Sequence, residues 1–333
     1  MPRSRRTTSS PTSASTVPLQ PLAPAEAEFG VVVTVTQRDL HWAKGTCASV
    51  RYFMPDAPIW LLVDGPGSTS DLERTYGVRV GRTSDVDHRG LRELSFGSYL
   101  TKLSTLWLAP FETFLFLDAD TVVWGDVRGH ADLDHNDFVL DLPLGGSPHV
   151  ERWIMDVDAV TRHFPEFDAR GHVQDYVNNG AFLARRGALD LDRYLELARF
   201  SRENPGVFLT DLGIFNYMLF GGADEGSLRL AQRELIVLVG FSTRHGLLRG
   251  ARLEDVQRRF SLVDGKPAVE SPAVLHWAGP VKPEVGSDPR DLAEPMMFFR
   301  RRFRRDRRKS DRLTPWDELQ LRLEDRRARR RRR

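Results

Sequence analysis

Residues 114–127 read FLFLDADTVVWGDV. Phe114 to Leu117 are apolar without alternation, the pattern of a strand buried on both faces, and the run ends abruptly on Asp118-Ala119-Asp120. In an open α/β sheet ligands sit beyond the carboxyl ends of the strands. Two carboxylates delivered there, two residues apart, can converge on one hard cation such as Mg²⁺ or Mn²⁺. The same short motif also describes a solvated acidic turn, so its neighbours decide between the two.

On the N-terminal side, VVVTVT at 31–36 is a β-branched run of strand length, and Ala43, Cys47 and Val50 then recur at helical spacing. Ile59 to Val63 (IWLLV) is a second apolar run, closed by the turn signal Asp64-Gly65-Pro66-Gly67. A helical stretch over Tyr99 to Leu108 leads into Thr113 to Leu117. On the C-terminal side, Phe138 to Leu140, Gly180 to Ala184, Leu235 to Val239 and Val274 to His276 are further strand candidates, with helical patterns at Leu191 to Phe200 and Leu212 to Phe220. Strands alternating with helices, with no internal repeat, predict one α/β domain over residues 29–290.

A second constellation is VLHWAGPVKP at 274–283. An apolar lead-in ends at His276, whose neutral imidazole is a competent third ligand for Mn²⁺. Gly279 permits close backbone approach, and Lys282 supplies a point charge for phosphate. Together the two elements describe a site for a metal and a diphosphate.

These motifs resemble glycosyltransferases of the GT-A fold, specifically the family 8 type that includes glycogenin and the lipooligosaccharide galactosyltransferases. The resemblance spans roughly residues 31–285. FLFLDADTVV looks like the family's DxD strand, and HWAGPVKP like its late HxxGxxKP element. It implies an α/β, Rossmann-like nucleotide-diphospho-sugar transferase fold, a mixed sheet flanked by helices. It further implies Asp118, Asp120 and His276 as ligands of Mn²⁺ or Mg²⁺, and Gly279 and Lys282 as diphosphate contacts. Lys102, in Tyr99-Leu-Thr-Lys102-Leu, matches the basic residue that reaches the donor. Asn178, Asn179 and Gly180 match the segment beside the donor sugar, and Asp211 matches an acidic residue near the reacting carbon, so that Asn178 and Asp211 carry the catalytic expectation. Thr36, at the end of the first strand, stands where base contacts are expected. Three departures mark the chain: Thr36-Gln37-Arg38 replaces the family's acidic and Asn-Tyr cluster, Leu212 replaces a polar group, and Glu284 replaces a tryptophan.

The implied activity is metal-dependent transfer of a hexose from a nucleotide-diphosphate sugar, UDP-sugar favoured, to a hydroxyl of a glycan, lipid-linked or small-molecule acceptor, with retention of configuration. A sugar nucleotidyltransferase is the first rival, and it lacks support because TQRDLHWAKG after the first strand is not a glycine-rich phosphate loop. A nicotinamide dehydrogenase lacks its GxGxxG. A protein that binds nucleic acid through its arginine tail is the second rival, and the body of the chain argues against it. Residues 1–290 hold 31 Lys+Arg against 38 Asp+Glu, whereas residues 291–333 hold 17 against 8. No helix-turn-helix, RRM or zinc-finger pattern accompanies the basic end, so no specific nucleic-acid partner is expected.

The two ends complete the picture. Residues 1–28, rich in Ser, Thr, Pro and Ala, predict a disordered leader. Arg5-Arg6 has no apolar core behind it, so a secretory signal is not expected. In the basic region 291–333, Pro295 and Pro315 divide the chain into two short helices. Met296, Met297, Phe298, Phe299 and Phe303 beside the arginine runs at 300–308 and 326–333 suit either an interfacial anchor on an anionic membrane or a solvated arginine tail with only non-specific attraction. One cysteine, Cys47, rules out an internal disulfide framework. The expected setting is cytoplasmic, with a peripheral position at the inner face of the membrane.

Overall fold

A computed structural model describes residues 18–145, 153–239, 253–279, 283 and 292–311. Its centre is a seven-stranded sheet built from β1 (Ala27–Thr36), β2 (Ile59–Asp64), β3 (Arg79–Arg82), β4 (Phe111–Asp118), β6 (Phe138–Asp141), β7 (Ala181–Arg185) and β8 (Leu230–Arg233), in the order β3-β2-β1-β4-β7-β6-β8. β1 runs parallel to β2 and β4, and β2 parallel to β3, as the alternation of apolar runs with helical spacing predicts. β7 enters antiparallel between β4 and β6, which makes the sheet mixed. A second, three-stranded sheet joins β5 (Thr121–Trp124), β9 (Ile236–Leu238) and β12 (Ala273–His276) in the order β5-β12-β9, and β10 (Leu262–Val263) pairs with β11 (Lys266–Pro267) in a small hairpin.

The apolar run of β4 is buried from Phe114 to Leu117 and stacks Phe116 on Phe182 of β7, with ring centroids 4.8 Å apart. Two residues separate its end from the start of β5, which crosses to the second sheet and pairs antiparallel with β12, Thr121 opposite His276. Asp118-Ala119-Asp120 therefore forms the corner between the sheets. Register alone brings His276, at the far end of the chain, beside it.

Helix α1 (Leu40–Phe53) packs between the sheets and the C-terminal helix Ala293–Asp311, with α2 (Ser70–Tyr76) alongside. Cys47, on the buried face of α1, has no exposed surface, and burial pushes its thiol up to about 12 from 9.0. Native protein should therefore resist a disulfide-exchange thiol reagent at pH 8 and react with it once unfolded. The stability this thiol contributes is fully present below pH 9.0 and is lost as pH rises toward 12. Rapid stoichiometric labelling of the native chain would contradict the buried placement.

Over the described residues, 18–28 and 292–311, both terminal regions depart from expectation, and residues 1–17 lie outside those described. Residues 18–28, assigned to a disordered leader, lie on the body: Leu19 bridges Val86, the Leu22 N–H donates to Trp107 O at 2.8 Å, and β1 already begins at Ala27. The basic region is not an appendage over the described residues. A single helix spans Ala293–Asp311, with Pro295 in its first turn, where the missing N–H costs no hydrogen bond. Met296, Phe298, Phe299 and Phe303, expected to enter a bilayer, are buried in the core instead. Phe299 packs edge-on against Tyr52 and Phe53 of α1 and Trp124 of β5. Gly45 admits this packing, because a Cβ there would fall 2.2 Å from the Met296 sulfur. An amphipathic helix buries its apolar stripe on whatever apolar surface is adjacent, and α1 supplies one. Arg301, Arg304, Arg305, Arg308 and Lys309 remain on the outer face. Pro315 and the arginine run at 326–333 lie outside the described residues, and among those that are described no helix is long and apolar enough to cross a membrane.

Candidate active site

At the corner between the sheets, Asp118, Asp120 and His276 each offer a ligand atom, all within 4.8 Å of one another. His276 Nε2 lies 3.5 Å from Asp118 Oδ2 and 3.6 Å from Asp120 Oδ1. Its other nitrogen, Nδ1, is buried without a hydrogen-bond partner, facing the backbone of Gly180. Two carboxylate oxygens and one imidazole nitrogen are donors that suit a Mn²⁺ or Mg²⁺ ion. The residues present therefore fit the divalent cation expected from the sequence.

Lys102 reaches this group from the 3-10 helix Tyr99–Ser104. Its ammonium lies 3.1 Å from Asp118 Oδ2 and 3.1 Å from Asp211 Oδ2, and donates to Asn179 Oδ1 at 2.8 Å. Asn179 Nδ2 in turn donates to Asp211 Oδ2 at 2.5 Å. Burial works against the Lys102 charge, but Asp118 and Asp211 more than offset it and raise its pKa above the ordinary lysine range. Asp118 is pushed the other way: burial raises its carboxyl above the usual range, opposed by Lys102 and His276. A carboxylate held at a cost beside one ammonium and one imidazole gains from any further positive charge.

Asp211 opens the helix Asp211–Asp224 without capping it. Thr210 is the cap, accepting from the Leu212 N–H at 3.2 Å, which leaves the Asp211 carboxylate for Lys102 and Asn179. The segment holding Asn178 and Asn179 is fixed by Asn216, a buried amide that accepts from Val177 N–H at 2.8 Å and donates to Val177 O at 3.1 Å. Asn216 escaped sequence reasoning; its only signal was one amide inside the apolar helix pattern LGIFNYML. Asn178 turns its Oδ1 back to the Gly180 N–H at 2.7 Å. Gly180 is required by space, since a Cβ would stand 2.1 Å from both Cε1 and Nδ1 of His276. Gly180→Ala should displace His276 and weaken Mn²⁺ binding by about tenfold or more, on the scale of lost ligand-orienting contacts. Titration with Mn²⁺ alone checks this, and an unchanged affinity would mean that His276 does not contribute.

A cavity of about 290 Å³ opens over these residues. Lys102, Asp118, Asp120, Asn178, Asn179, Asp211, His276 and Gly279 line its polar side. Gly279 has φ +68°, a left-handed conformation that glycine adopts without strain. Leu144, Trp153, Ile154, Leu212 and Leu238 form the apolar side, which sequence reasoning did not identify except for Leu212. Thr36 is not among the lining residues; it is exposed and donates to Asp39 Oδ2 at 2.6 Å. Lys282 lies outside the described residues.

Solved structures share this architecture. A galactosyltransferase, LgtC, in complex with donor and acceptor sugar analogs superposes with a TM-score of 0.53 at 16% identity, over 82% of this chain and 95% of that one. An active-site mutant of LgtC gives 0.52 at 17% identity, over 81% and 94%. The chain has the GT-A fold. The bifunctional glycosyltransferase WbbM in its apo form matches at 0.54 and 14% identity, and there this GT-A chain, 88% covered, spans 51% of the longer protein. No sequence-family model and no curated protein matches the chain.

Proposed function

We propose that this protein is a metal-dependent glycosyltransferase that moves a hexose from a nucleotide-diphosphate sugar to an acceptor hydroxyl. The observation that carries the reading is the convergence of Asp118, Asp120 and His276 at the strand ends of a GT-A fold, with the Lys102 ammonium between Asp118 and Asp211. Both LgtC structures and WbbM support it at the level of fold, and the LgtC complex holds donor and acceptor sugar analogs.

In this reading the bond from the anomeric carbon to the diphosphate breaks, its electron pair leaving with the diphosphate, while the acceptor oxygen bonds to that carbon and loses its proton. A divalent cation at Asp118, Asp120 and His276 would neutralise the charge gathering on the leaving diphosphate. Gly279 lets the backbone approach the phosphates closely, and the resemblance to family 8 carries Lys282 as a further diphosphate contact. Lys102 and Asn179 hold the Asp211 carboxylate in one orientation, ready to accept from a sugar hydroxyl, and Asn178 lines the same cavity. The protein's contribution is positioning and preorganised charge. The resemblance to family 8 carries a UDP-sugar as the favoured donor and retention at the anomeric carbon.

The test is calorimetry of UDP-, GDP- and ADP-sugars against purified protein, with Mn²⁺ and then with EDTA. Tight binding of one donor that EDTA abolishes is expected, and no binding of any donor would overturn the proposal. The anomeric proton of the product, read by NMR, decides retention against inversion.

A further inference from the structure

The corner that carries the two metal carboxylates makes its carbonyl hydrogen bonds through an unusual set of donors. Asp118 O accepts from the Thr121 hydroxyl at 2.8 Å, and Asp120 O from the Trp277 N–H at 3.2 Å. The carbonyls of Ala119, between the two aspartates, and of Thr121 both face one side chain. Thr46 Oγ1, on the buried face of α1, lies 2.6 Å from Ala119 O and 2.8 Å from Thr121 O. A threonine inside a helix ordinarily turns its hydroxyl to the carbonyl one turn back. Here that distance, to Trp42 O, is the longest of the three at 3.4 Å. One turn on, Ser49 Oγ accepts from the Val123 N–H at 3.0 Å and donates to Thr46 O at 2.7 Å. Both hydroxyls are fully buried, so no solvent competes for these bonds.

We propose that Thr46 is a positioning residue for the metal site: its hydroxyl fixes the backbone between Asp118 and Asp120 and so presets the spacing of their carboxylates. It touches neither ion nor sugar. The proposal rests on the metal-site reading above and assigns a role to a residue 73 positions from Ala119 in sequence. Its physical basis is the single proton shared by two carbonyls in a dry corner. Without it both carbonyls lose a donor, and the Ala119–Asp120 and Thr121–Val122 peptide planes are free to tilt, moving the Asp120 carboxylate relative to that of Asp118. The cost then appears in metal affinity, because a preset ligand pair must be reordered at each binding event.

Two substitutions separate position from packing. Thr46→Val keeps the shape and removes the hydroxyl, whereas Thr46→Ser keeps the hydroxyl and removes a methyl. Titration of Mn²⁺ alone into metal-free protein, followed by electron paramagnetic resonance, should show the valine variant weakened by about tenfold or more. The serine variant should bind as the wild type does, even where its melting temperature falls. Thr46→Ala serves in place of valine if the valine variant does not fold, with the same loss expected. Wild-type affinity in the valine or alanine variant overturns the proposal, as does an equal loss in the serine variant. A wild-type protein that itself fails to bind Mn²⁺ overturns the metal-site reading and the proposal with it, and is recognised because all forms then behave alike.

Discussion

Asp118→Asn/Asp120→Asn protein is expected to fold normally and to lose metal-dependent donor binding, with transfer slowed by at least about a thousandfold. The magnitude follows from the several kcal/mol that a bound cation contributes to stabilising charge on a leaving group, at roughly 1.4 kcal/mol per tenfold in rate. Folding should survive because the buried Asp118 carboxylate serves the site at the expense of the fold. Burial raises the Asp118 carboxyl above its ordinary range, so this group's stabilising contribution is present below the unfolded pKa and is lost as pH rises through the folded one. At neutral pH a neutral amide removes that cost. Lys102 keeps Asp211 at 3.1 Å as its counter-ion. The metal-free double variant should therefore melt at or above the wild-type temperature, the usual trade between stability and activity. Calorimetry, initial rates and thermal melts check the three parts, and Mn²⁺-dependent donor binding retained by the double variant would remove these aspartates from the site.

The C-terminal helix should prove indispensable to the fold. Phe299→Ala is expected to lower the unfolding free energy by about 3–5 kcal/mol, the range for a fully buried phenylalanine. Phe299 has no exposed surface and meets the rings of Tyr52, Phe53, Trp124 and Phe298. Asp306 adds a hydrogen bond from the Tyr76 hydroxyl at 2.9 Å, and Arg300 stands over the Trp42 ring at 5.0 Å. Against a net stability on the order of 5–15 kcal/mol, removing residues 292–333 should leave no folded soluble protein. Urea denaturation measures the point variant and expression trials the truncation. A loss below about 1 kcal/mol for Phe299→Ala, the scale of a surface substitution, would return the helix to the status of an appendage.

The strands were legible because their signal is local. VVVTVT, IWLLV and TFLFL are short apolar runs bounded by turn residues, and each lies within a strand of the central sheet. The antiparallel entry of β7 was not legible, because the run AFLA is equally apolar in either direction. The candidate metal triad was legible through two short motifs about 160 positions apart, whose proximity only the pairing of β5 with β12 establishes. Lys102, Asn179 and Asp211 were singled out one at a time, each with an ordinary alternative as surface lysine, turn residue or helix cap. The fold brings the three into contact with one another, which the local context of none of them shows. Thr46 and Asn216 carried almost no signal, since a hydroxyl or amide inside an apolar helix pattern does not reveal which backbone it will meet.

By itself the sequence determined the α/β class, the parallel core and the residue types of the candidate cation site, because periodicity and donor chemistry are properties of neighbouring residues. Tertiary structure alone decided which carboxylate Lys102 would hold, which hydroxyl would brace the corner at Ala119, and where the apolar face of the basic helix would go. Burial of apolar surface is non-directional: an amphipathic stripe specifies that something must cover it, and only the packed fold specifies that the cover is α1 rather than a membrane.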